Sequence, residues 1–235
     1  RVSIPPGESV TMVFTTILGD SRPKILEISD KYRQIQAFDR AEKLAWTRSQ
    51  VELRYLGVSA GEAHLFQRLA GHLLYANETL RPRPDILKLN RGTQKDLWKF
   101  GISGDLPLMI VRIGQSNTSR SEINKILRGH AYLHSKKILF DLLILNDQPS
   151  SYEQTFRDEL KAMIRCGGMQ SQLDKPGGAF MRSTDLMSDT DSLTLHTAAQ
   201  FTIVLSLRIW QDRMARRHPD SRSTANFLGQ ASCYP

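Results

Sequence analysis

GISGDLPLMIVRI, residues 101–113, decides how the rest of the chain is read. Its second half, Leu108-Met109-Ile110-Val111, is a continuous apolar run entered through Pro107, as expected of a strand buried on both faces. Toward the C-terminus such runs recur at Phe140-Asp141-Leu142-Leu143-Ile144-Leu145, at the short Gly178-Ala179-Phe180-Met181, and at Phe201–Leu207. Helical signals separate them. Ser119-x-x-Glu122 and Ser150-x-x-Glu153 are capping boxes that open helices predicted to reach about Leu133 and Ile164, and Asp191–Ala199 predicts a third. This alternation predicts right-handed crossovers and a four-stranded, mostly parallel sheet. The fold class is α/β.

The glycines ahead of the first strand leave three readings open. A phosphate cradle needs backbone N–H groups at a helix N-terminus following a strand, whereas Gly101 and Gly104 precede one, and no Lys-Ser/Thr follows. A catalytic Asp105 lacks a second acid nearby in sequence. A turn is favoured on spacing: two glycines permit unusual dihedrals, Asp105 can bond backbone N–H groups, and Pro107 suits a strand start.

Ligands of parallel α/β sheets gather at the carboxyl ends of strands. The loops after Ile113 (GQSNTS) and Leu145 (NDQPSS) lie there, which makes Asn146 and Asp147 candidates for a polar site. Both loops also have to cap the following helix, a purely structural duty.

Upstream, the period changes. Ile25, Ile28, Tyr32, Ile35, Phe38, Ala41, Ala45 and Trp46 recur at helical steps, predicting a long amphipathic helix over Lys24–Leu56 with one break. A second helix fits Ala60–Tyr75, with Phe66, Leu69, Leu73 and Leu74 on its apolar stripe. The Arg-Pro steps of Asn77–Asp85 predict an extended connector. VSIPPGESVTMVFTT alternates from Val10, so a strand is expected there, its sheet partners lying upstream of residue 1. The expected organisation is therefore the end of a β-structure at 1–20, a helical linker at 21–95, the parallel α/β subdomain at 96–207, and a tail at 208–235. That tail, poor in apolar residues, reads as disordered or non-native.

Composition narrows the function classes. At 235 residues, 40% hydrophobic and 24% charged, the chain has material for a core. No apolar run approaches the roughly 20 residues of a membrane span. The chain starts without a Met or signal peptide, as a piece of a longer protein would. The net charge of +8 raises nucleic acid as a partner, but residues 208–235, with five Arg and two Asp, supply +3 of it, and elsewhere the charges alternate. Nucleic-acid binding is therefore not expected. Cys166 and Cys233 form neither a disulfide framework nor a metal motif, which points to a reducing compartment. His130 and His134 sit four apart, a spacing two ligands of one metal can share, but nothing completes a site and partly exposed helix histidines are expected.

Several stretches resemble bacterial cyclic β-1,2-glucan synthases. LWKFGISGDLPLMIVRI (97–113) is similar to that family's LW-x-[YF]-GISGDLPIVLVRI, and FDLLILNDQPSSYEQ (140–154) to its VDLVILNE-x-x-SSY. IPPGESVTMVF (4–14) resembles the end of its first phosphorylase-type β-sandwich, and DRAEKLAWTRSQVELRYLGVSAGEAHLFQRLAGHLLY (39–75) its linking helices. The match covers about residues 1–207; Leu133 stands where the family tends to carry Trp, and the stretch from Arg208 follows no family pattern. The resemblance implies a parent enzyme at the bacterial inner membrane, with a glycosyltransferase half and a carbohydrate-phosphorylase-like half. That parent takes UDP-glucose as donor and phosphate as co-substrate. It implies β-1,2-glucan as partner, flanking β-sandwich and (α/α)-barrel domains, and contact with the membrane's cytoplasmic face only through the parent. The family's catalytic barrel motifs are absent from these residues, so no catalytic residue, metal or cofactor is expected within this segment. If the segment meets sugar, Trp98 and Phe100 would stack on a glucose face while Asp105 accepts hydroxyl hydrogen bonds; buried packing of both aromatics is the alternative. A nucleotide- or phosphate-binding module built on Asn146–Ser151, and a pure interdomain scaffold, stand beside it.

Overall fold

The computed structural model describes residues 2–75, 77–114, 120–147, 158–159, 161–165 and 172–205. The chain divides into two compact units, Arg1–Tyr55 and Leu56–Pro235.

In the first unit, α1 (Arg22–Lys31) starts on Pro23 within its first turn, and α2 (Ile35–Leu56) follows after a short break at 32–34, as the periodicity predicts. Neither helix buries a residue; Phe38, Leu44, Trp46 and Val51 all face outward. The strand expected from Val10 does not form. Residues 8–19 carry no regular structure, and Met12 and Phe14 are 55% and 88% exposed. The physical reason is the missing partner: a strand's N–H and C=O groups need a neighbour, and no described segment supplies one.

The second unit is the α/β body. A capping box at Ser59 opens α3 (Ala60–Leu74): the Ser59 hydroxyl accepts from Glu62 N, and the Glu62 carboxylate accepts from Ser59 N at 3.0 Å. Phe66, Leu69 and Leu73 are buried as expected, while Leu74 is 58% exposed. The connector predicted as extended is not wholly so. A 3-10 turn occupies Glu78–Leu80, and the second Arg-Pro step sets Arg83 extended, after which Pro84 starts the short α4 (Pro84–Leu87). A second short helix, α5 (Lys95–Trp98), leads into the first strand.

Four strands form one sheet, β1 (Leu108–Ile113), β2 (Asp141–Asn146), β3 (Ala179–Ser183) and β4 (Ala199–Leu205), in the order β3-β2-β1-β4. Every pairing is parallel. Between β1 and β2 comes α6 (Arg120–Ser135), and between β3 and β4 comes α7 (Asp189–Ala198), opened by a capping box of Ser188 and Asp191. The boxes at Ser119 and Ser150 and the tail from Arg208 lie outside the described residues, although 161–165 is helical.

Alternation assigns the faces. Leu108, Ile110, Leu143, Leu145 and Phe180 point to one side, where they are buried with Leu97, Phe100, Ile102, Leu195 and Ala199. The other side is covered by α3 and α6: the Phe66 and Tyr132 rings lie 5.8 Å apart, His72 meets Phe201 edge-on, and His130 packs 4.7 Å from Phe140. Burial on both faces explains why β1 and β2 read as unbroken apolar runs, whereas the edge strand β4 alternates. Strands β2 and β3 extend the sheet on one side of β1 and β4 on the other, so the order reverses between β1 and β4.

Candidate functional site

Gly101 is the stop signal of α5. The N–H of Ile102 bonds to Leu97 O at 3.3 Å and that of Gly101 to Trp98 O at 2.8 Å, the paired bonds that end a helix on a left-handed residue; Gly101 has φ 78°. The accompanying apolar contact is present, because Leu97 and Ile102 are both in the core. Gly104, at φ 79°, leaves space that a Cβ would take from the Gln94 side chain, 2.8 Å away. The Ser103 hydroxyl accepts from Asp105 N at 3.2 Å and tightens the turn into β1. The turn reading of this loop therefore describes its backbone.

The same turn builds an exposed polar corner. Trp98 is 58% exposed, and its indole Nε1–H donates to Ser103 O at 3.3 Å. Gln94 Nε2 donates to that carbonyl at 2.9 Å and to Asp105 Oδ1 at 3.1 Å. One aromatic face thus stands beside an amide, a hydroxyl and a carboxylate, the groups that orient a sugar ring. The two aromatics separate here: Phe100, 8% exposed, packs in the core, so Trp98 alone offers a face to solvent.

Behind the corner lie groups that sequence reasoning missed. Asp141, fully buried at the start of β2, accepts from Gly177 N at 2.7 Å through Oδ1, while Oδ2 has no hydrogen-bond partner among the described residues. Burial raises its pKa; the Gly177 bond opposes the rise and the Asp105 charge adds to it. Asp105 therefore does have a second acid in electrostatic range, 36 residues along the chain. His130 is also buried, a correction to the expected partial exposure, with Nε2 3.3 Å from Phe140 O. Desolvation lowers its pKa to about 4. A signal for Asp141 existed: one charge inside FDLLILN, a run that is otherwise a buried strand.

Asn146 and Asp147 lie at the opposite, carboxyl end of the sheet. Asn146 is 7% exposed and its carbonyl accepts from the Thr184 hydroxyl at 3.2 Å. Asp147 N bonds to Ile113 O at 3.0 Å, and Arg112 grips Oδ2 through Nη2 at 2.9 Å and Nε at 3.2 Å. Nearby, His196 shares a 3.0 Å bond with Thr202 Oγ1; burial first, then the Arg112 charge, lowers its pKa, against the pull of Asp147. The candidates thus fall into two groups, Trp98 with Asp105 and Asn146 with Asp147, and Phe100 joins neither. Among the described residues no three His, Cys, Asp or Glu side chains cluster to hold a metal ion, and no helix is long and apolar enough to cross a membrane.

No protein-family model matches the chain. Among curated proteins it is similar to the cyclic beta-(1,2)-glucan synthase NdvB of Rhizobium meliloti, at 31% identity over 216 residues. The aligned part is 92% of this chain but 8% of that protein, so the chain spans less than a tenth of the relative it matches. The resemblance read from the sequence to cyclic β-1,2-glucan synthases is borne out at this level.

Proposed function

We propose that this chain is a segment of a cyclic β-1,2-glucan synthase and that it contacts the glucan without performing the chemistry. Similarity running through 92% of the chain to a protein of that activity supports the parentage. The observation that carries the contact is the Trp98 corner, where an exposed indole stands beside Gln94, Ser103 and Asp105. A glucose ring laid on the indole would direct hydroxyls toward the Asp105 carboxylate and the Gln94 amide. UDP-glucose and phosphate are then substrates of the parent, and flanking sandwich and barrel domains, the segment boundaries at 20, 95 and 207, and placement at the cytoplasmic face of the inner membrane belong to the same proposal.

The test is a titration of the 235-residue chain with linear β-1,2-glucooligosaccharides, followed through the Trp98 indole resonance and the amides of Gln94–Asp105. Saturable shifts there, lost in Trp98→Ala, are expected. Resonances that stay put at millimolar sugar would sink the glucan contact.

A second reading has its own support. Where the order of a parallel sheet reverses, a crevice opens at the carboxyl ends of the strands, and ligands of open α/β sheets gather there. Here the reversal lies between β1 and β4, and the chain passes from β1 toward α6 at that end. A nucleotide or phosphate bound there would shift Gly114 and Asp147 in a salt-sensitive way and leave Trp98 unmoved.

A further inference from the structure

We infer that Arg182 is the positioning residue of the Trp98 corner, an inference that rests on the glucan contact proposed above. Arg182 lies on β3 opposite Leu145, its side chain 25% exposed. It reaches back under the corner instead of out to solvent. Its Nη2 donates to Phe100 O, and its Nη1 donates to Asp174 Oδ1 at 2.8 Å and to Met181 O at 2.7 Å. The guanidinium carbon stands 5.8 Å from the Phe180 ring centroid, within reach of a cation–π contact.

The carbonyl it holds is the relevant one. Phe100 O belongs to the end of α5, where carbonyls lose their intrahelical partners, and the guanidinium supplies the missing donor. The next residue is Gly101, where a Cβ would sit 3.0 Å from Arg182 Nη2. Glycine there serves two needs at once, a left-handed φ and room for the guanidinium. Three residues beyond Phe100 is Ser103, whose carbonyl receives both the Trp98 indole and the Gln94 amide. Fixing Phe100 O thus fixes where that acceptor stands, and with it the plane that Trp98 presents.

The anchor on the other side is equally defined. Asp174, at φ 52°, bonds through its N–H to Ala179 O at 2.9 Å. Its turn also contains Gly177, whose N–H is held by the buried Asp141 carboxylate. Asp141 in turn feels the Asp105 charge. Hydrogen bonds therefore run from Asp141 through the 174–177 turn and Arg182 to Phe100 O, at the head of the loop that carries Asp105. A planar fork of donors suits such a hub, because three acceptors at different angles are met by one rigid group.

The experiment compares Arg182→Gln and Asp174→Asn with the unmodified 235-residue chain. Asn tolerates a left-handed φ, so the second variant loosens the guanidinium while sparing the backbone, and it serves if the first fails to fold. Loss of a charge-assisted bond predicts that amide exchange at Gly101 and Ile102 speeds up about tenfold while Ile110 and Leu143 keep their rates. The Trp98 indole resonance moves, and the dissociation constant for linear β-1,2-glucooligosaccharides rises by about tenfold. A folded variant with unchanged loop exchange, or one that binds glucan as the unmodified chain does, overturns the inference. An unmodified chain that ignores glucan, while Arg182→Gln still frees the loop, refutes the glucan contact and upholds Arg182 as the clamp of this loop.

Discussion

Asp141 and His130 respond to pH in opposite directions. His130 has a folded pKa of about 4 against an ordinary 6.5, so the native state binds its proton later than the unfolded chain does. Its contribution is intact above pH 6.5 and is lost as pH falls from there to about 4, by an amount on the order of 3 kcal/mol. Asp141 is raised instead, so its charged form penalises the native state at high pH, and the penalty lifts as pH falls through its folded pKa. Replacing His130 with Phe should flatten the fall of the urea midpoint between pH 6.5 and 4; a slope unchanged by the substitution would contradict the assignment. Asp141→Asn keeps an acceptor for Gly177 N–H and removes the buried charge, so at pH 7 it is expected to be neutral or stabilising. Asp141→Ala leaves that N–H without an acceptor and is expected to cost about 1–3 kcal/mol, read from the same unfolding curves.

Close approach between two helices sets a requirement on the elements. A Cβ on Gly129 of α6 would lie 2.9 Å from the Phe66 ring carbons of α3, and Phe66 is 1% exposed. Gly129→Ala gains about 1 kcal/mol in helix propensity but overpacks a ring that cannot swing into solvent, an effect of about 1–3 kcal/mol. A net loss of stability is expected, measured as a lower unfolding midpoint; a gain would mean that α3 and α6 slide apart cheaply. At the start of α7, Ser188→Ala removes the acceptor for Asp191 N and is expected to cost about 1 kcal/mol. These elements were legible in the sequence to different degrees. Strands β1 and β2 announced themselves because burial on both faces leaves few polar positions, and β4 because 201–207 is itself a mostly apolar run. The α7 cap passed unnoticed because Ser188-x-x-Asp191 carries the shorter acid. The Val10 strand was over-read: alternation marks a segment able to pair, and pairing depends on a neighbour that alternation does not show. Of the corner, Trp98 and Asp105 were visible as residues. Gln94, four residues before Trp98, carries no local sign of its role, and Asp141 and Arg182 lie far along the chain, where no local pattern records what they touch.

The two units of the molecule differ in what holds them. The unit from Leu56 has a core on both faces of its sheet, whereas α1 and α2 bury nothing, and helices in proteins draw most of their stability from tertiary packing. Amide exchange should therefore be fast along Ile35–Tyr55 and slow along Leu108–Ile113 and Asp141–Asn146; comparable protection in both would show that α2 has found a partner. The reversal of strand order between β1 and β4 also has a consequence for the order of synthesis. Leu108 pairs with Asp141, 33 residues later, but its other neighbour is Ala199, 91 residues later. As the chain leaves the ribosome, one edge of β1 is satisfied once β2 has emerged, and the other stays open until β4 follows. During that interval a bare apolar strand edge can recruit other chains. Chains stopped before Ala199 should aggregate while those reaching Leu205 stay dispersed, so a strand well buried in the finished protein is the most vulnerable part of the growing one.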